Sequence, residues 1–107
     1  MNPPRALALA MAFAATATLF AAGPAASQDR NLARNMAANC ANCHGTDGRS
    51  AGGMPALAGM RKDEMVRLMR EFREGKRPAT IMHQLSKGYT DEQVELIAGW
   101  FAAQKAN

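Results

Sequence analysis

Aromatic side chains are scarce, 6% of 107 residues with one Trp and one Tyr, and the chain has just two cysteines and two histidines. That leaves room for one small domain and excludes a second. Alternating β-branched runs are absent, so nothing reads as the βαβ setting of a thioredoxin-like pair. Beyond Cys40, Cys43 and His44 only His83 remains as a soft ligand, too few for a structural zinc site with separated ligand pairs. Charge of one sign is missing too. Arg61 to Arg77 mixes bases and acids, which reads as a solvated helix face and not as a nucleic-acid site.

The apolar fraction of 48% overstates the core. Much of it lies in Met1–Ala26, where Arg5 is the one charge. Arg5 supplies a basic start, Ala6–Ala22 an apolar stretch, and Gly23-Pro24 a break before the small residues Ala25-Ala26-Ser27. This is the pattern of a secretory signal peptide, with residues 1–27 expected to be cleaved and 28–107 to form the domain. The stretch is short and weakly hydrophobic for an uncleaved membrane anchor. A mature chain of this size buries a modest share of its surface and often needs a staple.

Two exported cysteines would ordinarily pair. Here they stand as Cys40-Ala41-Asn42-Cys43-His44, the C-x-x-C-H pattern of covalent haem c attachment, whereas a plain disulfide leaves His44 unexplained. Two thiols one helical turn apart can each form a thioether with a haem vinyl group, and His44 is then delivered to one face of the iron. Its other ring nitrogen needs an acceptor, usually a backbone carbonyl.

A second protein ligand would make an electron carrier, and an open iron a haem enzyme or gas sensor. Of eight methionines, Met1 and Met11 fall in the leader, and Met36, Met65 and Met69 suit helix core positions. Met54 and Met60 lie soon after His44 in a Gly-rich segment better placed to wrap the His side. Met82 follows an intervening helix and can return on the opposite face. It is the expected ligand, with Met60 and His83 as alternatives, His83 otherwise being an exposed loop histidine.

Three helices are expected. The first, about Asp29–Ala41, places Leu32, Ala33, Met36, Ala37 and Cys40 on one face. The second, about Asp63–Glu74, has Met65, Leu68, Met69 and Phe72 inside, an Asp63–Arg67 pair outside and Gly75 beyond its end. The third opens on the capping box Thr90-Asp91-Glu92-Gln93 and runs to about Gln104, with Val94, Ile97, Ala98 and Phe101 inward and Leu96 and Trp100 beside them. Gly99 within it suggests close approach by another backbone or by the haem. A short turn of helix within Thr80–Lys87 is possible.

Cys40-Ala41-Asn42-Cys43-His44-Gly45, Pro55-Ala56-Leu57-Ala58-Gly59, a helix, a Met, Tyr89-Thr90-Asp91-Glu92 and a last helix with Trp100-Phe101-Ala102-Ala103-Gln104 together resemble the small class I c-type cytochromes. The resemblance covers nearly all of residues 28–107 and implies an all-α fold wrapped on one haem, with first and last helices crossing. It matches Met82 with the axial Met and Pro55 with the proline whose carbonyl accepts from the axial histidine, His44. Leu57 is counted with Pro55 among the haem-binding residues. A small residue usually follows the axial Met, whereas His83 stands here.

Within that family, Arg77-Pro78-Ala79-Thr80-Ile81-Met82 and Leu85-Ser86-Lys87-Gly88-Tyr89 resemble the haem subunits of flavocytochrome c sulfide dehydrogenases. The resemblance implies a periplasmic one-electron carrier that takes electrons from an FAD-containing, sulfide-oxidising flavoprotein and passes them to a downstream acceptor. A free-standing electron shuttle is the alternative. Neither nucleic acid nor stable membrane insertion is expected. Loss of Arg5 with the leader takes one unit from the formal charge of +4, and two propionates would subtract about two more, so long-range steering should be weak.

Overall fold

A computed structural model describes residues 25–106. The leader expected over residues 1–27 lies outside them up to Pro24, and its last residues, Ala25–Ser27, form the first turn of α1. The described chain runs α1 (Ala25–Ala37), a 3-10 turn (Ala38–Cys40), α2 (Ala41–His44), a second 3-10 turn (Thr46–Gly48), α3 (Lys62–Arg73), α4 (Met82–Leu85), a third 3-10 turn (Ser86–Gly88) and α5 (Asp91–Ala102). Among these residues there is no strand, and the expected all-α class is the one found.

The first helix does not stop at Ala41. Ala37, Cys40 and Ala41 all keep right-handed helical dihedrals, so the chain tightens for one turn and then resumes winding. Gly45, at φ 79°, ends it because glycine adopts that conformation without a Cβ clash. His44 is therefore the last residue of a helical turn and not the start of a loop. α3 begins at Lys62 and closes in a Schellman turn, Gly75 N–H donating to Phe72 O at 3.2 Å and Lys76 N–H to Glu71 O at 2.9 Å. α5 opens on its capping box, in which Gln93 N–H donates to Thr90 Oγ1 at 3.2 Å and Thr90 N–H to Gln93 Oε1 at 2.9 Å.

α5 packs between α1 and α3. The core is Ala37, Met65, Ile97, Ala98 and Phe101, flanked by half-buried Met36, Cys40, Leu57, Met60, Val66, Met69, Tyr89 and Trp100. Phe101 is completed by the edge of Trp100, centroids 5.1 Å apart. Among the side chains of α1 described, Ala33 and Ala37 are buried with Met36 packed beside them, so this helix meets α5 along a narrow strip. Leu32, expected on that inner face, is 49% exposed, because its position falls at the edge of so narrow a strip. At Gly99 no atom lies within 4 Å of where a Cβ would be, so the expected close approach of another backbone does not occur.

Several charges on α3 are paired, though not as the spacing predicts. Asp63 is held by Arg61, which bends back from just before the helix with Nε 3.1 Å from Oδ1, and Arg67 turns onward to Glu71 at 2.6 Å. The arginine beside Asp63 holds its carboxyl below the usual carboxylate range. Exposed pairs of this kind contribute little to stability.

Candidate haem site

The helical turn Cys40–His44 presents two free thiols. Cys40 is half-buried against the core, and that burial pushes its thiol above the ordinary value; Cys43 is exposed. His44 is 8% exposed, with Nδ1 2.6 Å from Pro55 O. A carbonyl oxygen can only accept, so Nδ1 carries the proton, and in the neutral ring Nε2 is left with its lone pair. That is the nitrogen an iron requires.

The carbonyl of Pro55 is aimed by a stitched loop. Leu57 and Ala58 N–H both donate to Gly48 O, at 2.8 and 3.2 Å, and Met60 N–H donates to Leu57 O at 3.1 Å. Gly59 N–H reaches across to Phe101 O at 2.9 Å, and Arg49 Nε to Lys105 O at 3.1 Å. The loop that carries Pro55 is thus tied both to the turn after His44 and to the end of α5. Gly48 is closely packed. At φ +76°, a Cβ there would lie 2.8 Å from Ala58 N and from Phe101 Cε1.

Gly48→Ala is therefore expected to lower stability by about 2–4 kcal/mol, strain and overpacking together. Gly75→Ala, at φ +72° with nothing within 4 Å, should cost only the conformational part, about 1–2 kcal/mol. Denaturant midpoints of the two variants check this, and equal losses would mean that the packing around Gly48 is slack.

The structure thus brings Cys40, Cys43, His44 and Pro55 together. Met82 opens α4 and is half-buried on the other segment, which packs on α3. Met60 packs against the hydrophobic core, as do Met36, Met65 and Met69; Leu57 does too, its Cβ against Gly48. His83 is not an exposed loop histidine. It lies within α4, half-buried, with Nδ1 buried and no partner for it among the described residues, because the short helix turns the ring inward. Met54, Ile81 and Leu85 are large apolar side chains 42 to 49% exposed on the two segments. Two free thiols a helical turn apart, a lone-pair Nε2 and uncovered apolar side chains fit a covalently held, largely apolar macrocycle. Among the described residues no cluster of three or more His, Cys, Asp or Glu side chains could hold a bare metal ion.

Residues 31–103 match the cytochrome c family, and the chain belongs to it. It is a class I c-type cytochrome domain, a fold that carries one covalent haem c. It is 38% identical over 66 residues to the cytochrome subunit of sulfide dehydrogenase of Chlorobaculum tepidum, covering 62% of this chain and 60% of that protein. It is 36% identical over 81 residues to cytochrome c4 of Pseudomonas aeruginosa, covering 75% of this chain and 40% of the relative. Against the thiosulfate dehydrogenase electron acceptor of Stutzerimonas stutzeri the identity is 35% over 69 residues, 63% of this chain and 32% of the relative. In each case the chain spans less than two thirds of its relative's length.

What spacing did not reveal is the set of side chains that hold the Met82 segment to α3. Glu71 accepts from Arg67 Nη1 at 2.6 Å and from Arg77 Nε at 3.0 Å. Arg73 donates to Asp91 Oδ1 at 2.6 Å and to Tyr89 O at 2.9 Å. Their charges are visible in the sequence; their partners, set by the return of the chain after Gly75, are not.

Proposed function

We propose that this chain is a periplasmic haem subunit that takes electrons one at a time from a sulfide-oxidising, FAD-containing flavoprotein and hands them to a downstream acceptor. The observation that carries the reading is the 38% identity to the cytochrome subunit of a sulfide dehydrogenase. The Arg77–Tyr89 resemblance and the exposed Met54, Ile81 and Leu85, which offer an apolar surface to a partner, support it. The signal-like Met1–Ser27 supports export, and among the described residues no helix is long and apolar enough to cross a membrane.

In this reading Cys40 and Cys43 would hold the group as thioethers, and His44 Nε2 and the Met82 sulfur would ligate its iron. Haem, when bound, supplies a one-electron Fe(III)/Fe(II) couple. The Pro55 carbonyl fixes the His44 ring and its tautomer. With His44 and Met82 both bound to it, the iron would be closed to donors and acceptors, and a partner would have to dock beside the exposed Met54, Ile81 and Leu85 to exchange electrons. Leu57, under Gly48 and against the core, helps keep water from the His side. Sulfide gives up two electrons and a haem couple takes one at a time, so in this reading the partner's flavin divides the pair. The weak net charge favours a lasting, packed complex over one steered from a distance.

Size exclusion of the native periplasmic fraction at moderate salt, followed by sulfide addition, tests the reading. Co-elution with a flavoprotein and rapid reduction of the haem are expected. A lone monomer that sulfide reduces no faster than an unrelated cytochrome would sink the subunit assignment. The free shuttle would then stand, in keeping with the similarity to a thiosulfate dehydrogenase electron acceptor.

A further inference from the structure

After α3 the chain turns at Gly75 and runs through α4 and the 3-10 turn Ser86–Gly88, both packed on α3, before entering α5. The segment is fastened at its two ends by residues of the last turn of α3. At its start Arg77 donates to Glu71 at 3.0 Å, and its guanidinium lies over the Phe72 ring, 5.9 Å from the centroid. At its end Arg73 grips Tyr89 O at 2.9 Å and Asp91 at 2.6 Å. Between these clips, Gln84 and Leu85 N–H donate to Ile81 O, and Ser86 Oγ to His83 O. Among the described residues no side-chain or turn hydrogen bond runs from residues 78–88 to the rest of the molecule. Ser86 is fully buried, but Ile81 and Leu85 are nearly half exposed.

A segment bonded mainly to itself, with few buried apolar contacts and two fixed ends, opens as a unit. We propose that Glu71 and Arg73 are positioning residues that hold residues 77–90 closed and so set how readily the iron position taken by Met82 becomes accessible. The inference rests on Met82 being the axial ligand. Asp91 is exposed, but the residues of α3 that make the clips, Glu71 and Arg73, are themselves partly buried. Glu71 is half-buried and takes two guanidinium groups, which hold its carboxyl below the usual carboxylate range. Arg73 keeps its Nε buried with no partner among the described residues, so its place depends on the two charge-assisted bonds of its other nitrogens. Losing them would leave a partly buried cation unpaired.

An external ligand can reach the iron only when the segment is open, and its apparent dissociation constant is the intrinsic one divided by the open fraction. Imidazole titrated into the ferric holoprotein reads that fraction. Glu71→Gln and Arg73→Gln are each expected to tighten imidazole binding about tenfold, as loss of charge-assisted bonds at a half-buried site implies, and Arg73→Lys to restore part of it by keeping one of the two contacts. Asp91→Asn gives a milder version should Arg73→Gln mature poorly. Ala33→Gly, which loosens α1 on the far side of α5, separates local opening from general loss of stability. If it tightens binding as much as a clip variant of equal melting temperature, the clips act only through global stability and the proposal falls. It also falls if the wild type shows the red charge-transfer band of thioether-bound ferric haem and the clip variants bind imidazole like wild type. Absence of that band from the wild type would instead overturn the Met82 assignment on which the proposal stands.

Discussion

Cys43→Ser is expected to abolish or severely reduce formation of the holoprotein, and acid–acetone extraction of the wild type to leave the haem on the polypeptide. A serine hydroxyl has neither the nucleophilicity of a thiol nor a stable thioether to offer, so one of the two covalent links is lost. Cys43 suits the experiment because it is exposed, and replacing it removes no packing from the polypeptide. The loss is then chemical and not a failure to fold. Cys40→Ser should have the same effect on attachment with an added packing cost, since Cys40 leans on the core. Haem staining of a denaturing gel reads both variants, and haem of the wild type passing into the organic phase would overturn covalent attachment.

Met82→Ala should remove the red charge-transfer band of the ferric protein and let the ferrous iron bind carbon monoxide, both consequences of an emptied sixth position. The structure supplies the comparison. Met60 packs against the core, so Met60→Ala should lower stability by about 1–3 kcal/mol, less than a fully buried truncation, while leaving the band intact. Met54, 42% exposed, should tolerate alanine on both counts. If Met60→Ala abolishes the band and Met82→Ala does not, the chain passes around the ring on the other side from the one argued here.

Features whose cause is local were legible in the sequence. The capping box at Thr90 is set by residues three apart, and so is the spacing of Cys40 and Cys43. The inward stripe Val94, Ile97, Ala98 and Phe101 is buried as its period requires. Where the cause is distant the reading slipped. Leu32 has the right helical phase, but α1 meets α5 through alanines too small to cover it. Asp63 and Arg67 have the right spacing, yet a residue outside the helix takes the acid. His83 reads as a loop residue until α4 winds and turns it inward. The roles of Glu71 and Arg73 depend on where the chain returns after Gly75, which no window along α3 contains.

The loop that aims Pro55 at His44 also imposes an order on folding. Its supports are Phe101 O, bonded by Gly59, and Lys105 O, bonded by Arg49, with Ala106 against Gly59. These supports are distant along the chain, 56 residues apart for Arg49 and Lys105, whereas the turn Cys40–His44 closes on itself, Gly45 N–H donating to Ala41 O at 3.1 Å. The thiols of Cys40 and Cys43 can therefore be presented before the floor beneath their histidine has closed, since contacts between distant residues form late. Only when α5 has docked can the loop lock and the ring of His44 take its fixed orientation.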